Sequence, residues 1–121
     1  MAAIGDKTVL RLNEAKELYG AASTANTAFY ADAVGGDYKC LITFANASGG
    51  SGNVTITKGD GPAAAQKDLT FAVADGATKG IVIDSALYKI FADAANSGTN
   101  KNKYKITTAA AMTVTVIELP Q

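Results

Sequence analysis

The chain has 121 residues, 11 basic and 11 acidic side chains, one Cys, and neither His nor Trp. The length fits one domain. Without His there is no Ser-His-Asp or Cys-His catalysis and no His-containing zinc site, one Cys builds neither an intrachain disulfide nor a thiolate site, and balanced charge without a basic run argues against nucleic acid as the main partner. The 48% hydrophobic content is inflated by 24 Ala; Ile, Leu, Val and Phe number 26, about 21% of the chain. That composition predicts a lean but real core in a folded domain. No apolar run approaches the ~20 residues that span a bilayer. The opening Met-Ala-Ala-Ile-Gly-Asp-Lys lacks the charged and apolar regions of a signal peptide. The expectation is a chain made in a cytoplasm, with no membrane partner and no cofactor.

Residues 1–7 show no periodic pattern and read as an N-terminal arm, either a loose terminus or a segment that lies along a partner. Its candidate contact residues are Ala2, Ala3 and Ile4, with Ile4 the only substantial apolar anchor. The remainder, 8–121, reads as one domain. Residues 8–12 (TVLRL) form the first short strand pattern. Residues 13–19 (NEAKELY) are the one expected helix, about two turns, with Asn13 as cap, Glu14 in the first turn and Gly20 as stop. Residues 21–28 (AASTANTA) read as extended or loop, and 29–34 (FYADAV) as a short strand before the turn at Gly35-Gly36-Asp37.

Residues 38–45 (YKCLITFA) carry the clearest period-two alternation, with Tyr38, Cys40, Ile42 and Phe44 on one face. A glycine-rich turn, 46–52, leads to 53–58 (NVTITK), where Val54 and Ile56 point inward and Thr55 and Thr57 outward. Gly59-Asp60-Gly61-Pro62 closes that strand. Residues 68–73 (DLTFAV) align Leu69, Phe71 and Val73 before an Asp75-Gly76 turn. Residues 79–84 (KGIVID) are apolar on both faces, which predicts a more central strand. The alternation in 85–91 (SALYKIF) favours a strand, while Ala92-Asp93-Ala94-Ala95 equally suits a helical turn. After a polar loop, 96–102, residues 103–107 (KYKIT) and 112–119 (MTVTVIEL) complete the set, and Pro120 stops pairing because it has no N–H. Seven to nine short strands at this cadence predict an all-β, single antiparallel β-sandwich, Ig-like or jelly-roll-like.

Cys40, inside the best strand, reads as a small buried hydrophobe rather than a reactive thiol. Gly59-Asp60-Gly61 reads as a turn; it lacks the spacing of an EF-hand and the ending of a P-loop. Asp84 and Asp93 are too far apart in sequence to nominate as a catalytic pair. Tyr19, Tyr30, Tyr38, Tyr88 and Tyr104 could line a stacking platform for a sugar, but core-edge positions with wet hydroxyls are the simpler reading. Lys101-Asn102-Lys103-Tyr104-Lys105 reads as a solvated loop entering a strand.

Residues 44–62 (FANASGGSGNVTITKGDGP), 68–73 (DLTFAV), 81–85 (IVIDS), Tyr88-Lys89 and the ending 114–120 (VTVIELP) resemble the small β-sandwich decoration, or head-stabilising, proteins of tailed-phage capsids. The likeness runs from Tyr38 to the end, about two-thirds of the chain. The resemblance implies a non-enzymatic virion protein on the capsid surface, made in the host cytoplasm. Its partner would be the major capsid protein, and it would act as a cyclic homo-oligomer, a trimer at a local threefold position. Such a protein stabilises the lattice by binding only its assembled form. A tail, neck or fibre component is the alternative virion role, and a carbohydrate-binding module the alternative of a different class.

Overall fold

The computed structural model of the chain describes residues 4–33 and 39–120. Among them are nine strands: β1 (Lys7–Val9), β2 (Ala21–Ala22), β3 (Phe29–Asp32), β4 (Cys40–Ala45), β5 (Gly52–Ile56), β6 (Leu69–Val73), β7 (Thr78–Val82), β8 (Lys103–Thr108) and β9 (Thr113–Glu118). One sheet runs β1-β9-β4-β7, with β2 also beside β9; the other runs β3-β8-β5-β6.

The pairing is nested. β5 pairs with β6, β4 with β7, β3 with β8 and β2 with β9, all antiparallel. The chain is thus one long hairpin, folded at the β5–β6 connection and rolled into two layers. The β4–β9 and β5–β8 pairings hold the roll closed. Eight strands wound in this way form a jelly roll, the second of the two sandwich types expected. β1 is an addition: it pairs parallel with β9, Lys7 opposite Val116, the one parallel pair among the described residues.

The core follows from the alternation. Cys40, Ile42 and Phe44 of β4 are buried while Leu41, Thr43 and Ala45 are half-buried. Val54 and Ile56 of β5, Tyr104 and Ile106 of β8, and Val114 and Val116 of β9 fill the space between the sheets. Each of the larger aliphatic or aromatic side chains contributes roughly 1.5–3 kcal/mol by leaving water. A one-residue slip would turn this whole set outward, so the register is firmly specified. Tyr104 is a correction to the core-edge expectation for the tyrosines: it is among the largest fully buried side chains.

Three sequence expectations are overturned. Residues 13–19 are not helical: Asn13 has a left-handed φ of 59° instead of the extended backbone typical of an α-helix N-cap, and residues 11–20 are all exposed. A two-turn helix with no face packed on a core does not repay its nucleation. The expected strand at 85–91 is instead a short helix, α1 (Ser85–Tyr88), begun by Asp84, whose carboxylate accepts the Ala86 N–H at 3.0 Å. A well-placed cap outweighed a weak alternation. The Ile81-Val82-Ile83 run does not mark a central strand: β7 lies at a sheet edge, and Val82 is 44% exposed. The helical option around residue 93 is realised as a 3-10 turn, Ala94–Asn96.

The side of the sandwich where β1 faces β3 is stitched by the N-terminal residues. The Asp32 N–H donates to the Gly5 carbonyl at 3.2 Å, and the Cys40 thiol donates to the Asp32 carbonyl at 3.7 Å. Gly5 has φ +91°, and a Cβ there would collide with the Tyr30 carbonyl oxygen, so the close approach requires glycine. The opposite side, between β6 and β7, has no such closure among the described residues.

Candidate functional site

Three surfaces stand out. The first is the loop cluster at one end of the roll, organised by Asp60. Its carboxylate accepts the N–H groups of Phe91, Ala92 and Asp93 at 2.5, 3.1 and 2.8 Å. The bond from Phe91 is the largest cause holding the Asp60 pKa below the ordinary carboxylate value, with the Asp93 bond next. Asp93, at φ +50°, repeats the device one step on: its carboxylate accepts the Asn100 N–H at 2.8 Å and the Asn96 amide at 3.1 Å. Gly59 supports the cluster from below. Its N–H donates to the Leu87 carbonyl at 2.9 Å, and a Cβ would lie 2.5 Å from the Lys89 carbonyl oxygen. The Gly-Asp-Gly turn therefore fastens one loop to another through backbone donors, and its carboxylate oxygens face N–H groups. Phe91, presented by this clamp, is 62% exposed. With Gly61, Pro62, Ser85 and Lys89 it borders a shallow cavity of about 370 Å³.

The second surface is the segment 11–20, which leaves the sandwich after β1 and returns at β2. It departs where the Leu10 N–H donates to the Glu118 carbonyl at 2.9 Å. Leu12, Leu18 and Tyr19 are 78%, 50% and 51% exposed. The Tyr19 hydroxyl is held by the Glu17 carboxylate, which raises its pKa above the usual phenol value. Leu12 also borders a hollow of about 310 Å³ with Val9, Glu118, Leu119 and Pro120. Large apolar side chains held in water over ten successive residues carry a cost that contact with another surface would relieve.

The third surface is the open β6–β7 side. Leu69 and Phe71 of β6 face Thr78, Lys79, Gly80 and Ile81 of β7 across a groove of about 540 Å³. Phe71 packs edge-on against the buried Phe44, ring centroids 5.8 Å apart.

The residues singled out from sequence fall as follows. Ala2 and Ala3 lie outside the described residues, as does Tyr38. Ile4 is half-buried and packs against the domain's own core, and Lys7 already belongs to β1. Cys40 is buried in β4. Asp84 caps α1 while Asp93 orders its own loop, so each has a separate structural task. Among the described tyrosines Tyr104 is buried, Tyr30 and Tyr88 are half-buried on different elements, and Tyr19 is exposed. Among the described residues no group of three or more His, Cys, Asp or Glu could hold a metal ion. Sequence reasoning placed Leu12 in the first strand pattern, Leu18 in the expected helix and Tyr19 both there and among the tyrosines of a stacking platform, and did not foresee the three standing exposed together on one irregular segment. It missed the Asp60 clamp because its partners are backbone groups 31–33 residues away.

Compared with protein-family models, with curated proteins and with solved structures, the chain matches none.

Proposed function

We propose that this protein is a non-enzymatic virion component that binds the outer surface of an assembled phage capsid and stabilises it, with the major capsid protein as its partner. The observation that carries the reading is the segment 11–20: a rigid jelly roll holds out ten exposed residues with three large apolar side chains. The sequence likeness between Tyr38 and the C-terminus to capsid decoration proteins supports it. The jelly roll is used by viral capsid proteins and also by lectins and cupins, so the fold agrees with the reading without selecting it. Binding that exists only on the assembled lattice raises the lattice's stability by mass action, and many copies on a repeating surface reinforce one another through effective concentration.

The test is co-sedimentation with purified expanded capsids, together with capsid melting. The expected result is saturable co-pelleting and a higher capsid melting temperature. Failure of both sinks the proposal. The alternative virion role, a tail, neck or fibre component, is separated by electron microscopy of particles lacking the protein, where a missing tail feature would displace the head reading.

A further inference from the structure

The two sheets end in edge strands that differ in how they are protected. β1 and β2 are three and two residues long. β3 carries Asp32 and is covered at its outer edge by Gly5, whose carbonyl accepts the Asp32 N–H. β7 carries Lys79 and Gly80 in its centre. Short length, charge and covering are the usual means by which edges avoid pairing with another chain. β6 has none of them: Leu69-Thr70-Phe71-Ala72-Val73 contains no charge, Gly or Pro, and among the described residues no strand lies beside its outer edge.

The residues flanking β6 add a charge pattern. Lys67, in the bend before β6, stands four residues before Phe71, and Asp75, in the turn after it, four residues beyond; the Asp75 carboxylate also accepts the Gly49 N–H at 2.9 Å. If two copies of β6 pair antiparallel about a two-fold axis at Phe71, Lys67 of each copy faces the partner's Asp75. In the same register Leu69 faces the partner's Val73, Thr70 the partner's Ala72, and Phe71 its own counterpart. Leu69, Phe71 and Val73 share one face of the strand, so their cross-strand pairs extend the apolar seam of the groove. No like charges meet. Two ion pairs and an apolar ladder on one face thus arise from one sequence read in both directions, which is the self-complementarity an isologous interface requires.

We propose that the β6 edge is the interface of a two-fold homodimer in which the β3-β8-β5-β6 sheets of two copies join into one continuous eight-stranded sheet. The occupant of this edge is a second copy of the chain, in the register centred on Phe71. The inference stands apart from the capsid reading, and its two-fold symmetry differs from the threefold assembly that the sequence likeness implies.

Mass measurement by sedimentation equilibrium decides it. The wild-type protein is expected at twice 12.3 kDa. The double variant Thr70→Lys/Ala72→Lys changes two exposed side chains and sets Lys against Lys twice across the axis; it is expected to be monomeric with unchanged circular dichroism. Lys67→Glu alone is expected to weaken the dimer about tenfold, since it turns two attractive pairs into repulsive ones. Adding Asp75→Lys is expected to restore it. A wild-type protein that stays monomeric at roughly millimolar concentration overturns the proposal. So does a trimer, or any oligomer whose mass is indifferent to Thr70→Lys/Ala72→Lys. Restoration failing in a correctly folded Lys67→Glu/Asp75→Lys variant overturns the Phe71-centred register.

Discussion

Asn46 is buried at the end of β4, and all of its side-chain hydrogen-bonding groups are engaged. Its amide donates to the carbonyls of Gly50 and Val73 at 2.8 and 2.9 Å, and its carbonyl accepts the N–H and hydroxyl of Ser48 at 3.0 and 2.7 Å. One side chain therefore fastens the β4–β5 turn to the end of β6. Asn46→Ala removes all four bonds while leaving the backbone bonds to Ala77 and Gly76 in place. Gly50 and Ser48 are exposed, so water takes over their groups and little is lost there. Val73 is fully buried opposite Gly52 in the β5–β6 ladder, so its carbonyl keeps its place in the ladder but loses a bond that no water replaces, which costs about 0.5–1.5 kcal/mol. With the lost ordering of the turn, the expected destabilisation is about 1–3 kcal/mol, a sizeable part of the 5–15 kcal/mol typical of a domain. At this chain length that corresponds to a fall in Tm of roughly 4–12 °C. Urea unfolding followed by circular dichroism measures it, with Ser48→Ala as the control, expected to cost less than about 1 kcal/mol because the Asn46 carbonyl keeps the residue-48 N–H and the Gly50 carbonyl is open to water. The reasoning is refuted if Asn46→Ala lies within about 0.5 kcal/mol of wild type, or if Ser48→Ala costs as much.

The Asp60 clamp gives stability a pH dependence. A carboxylate whose folded pKa lies below its unfolded value of about 3.9 contributes stability above that value and loses it as pH falls through the lower, folded pKa. Thermal melts at descending acidic pH are therefore expected to show a steeper loss for wild type than for Asp60→Asn; parallel curves would remove Asp60 from the account. Gly59→Ala places a methyl against the Lys89 carbonyl and is expected to cost about 1–3 kcal/mol in chemical unfolding, as overpacking does; a neutral outcome would show that the loop contact yields freely. Leu12→Ser, Leu18→Ser and Tyr19→Ser combined are expected to leave stability within about 0.5 kcal/mol per site, since all three are exposed, yet to abolish capsid co-sedimentation. Undiminished co-pelleting would exclude this segment as the contact.

Much of the fold was legible because strand alternation is a local property. Cys40, Ile42 and Phe44 declare a face by their spacing alone, as do Val54 with Ile56 and Val114 with Val116. The Thr residues between them mark the opposite face. The failures share a cause. At 13–19 the local cap signals were present, but no core surface lay opposite to receive a helix. At 81–83 three branched aliphatics suggested a strand buried on both faces, but a strand's place in its sheet depends on which other strands pair with it. At 85–88 the cap formed by Asp84 decided the outcome over an alternation that ran on to residue 91.

By itself, then, the order of residues determined that this protein is all-β, that its core is thin, and roughly where its strands begin and end. Those follow from side-chain period and turn chemistry acting over a few residues. Only the tertiary structure decided that the strands nest into a jelly roll, that the N-terminal residues close one side of it, and that β6 is left as an uncharged, uncovered edge. It also decided that Leu12, Leu18 and Tyr19 stand in water while Asp60 holds a loop thirty residues away. These depend on pairings between distant segments, whose free energy comes from burial and hydrogen bonding that exist only after the chain has closed on itself.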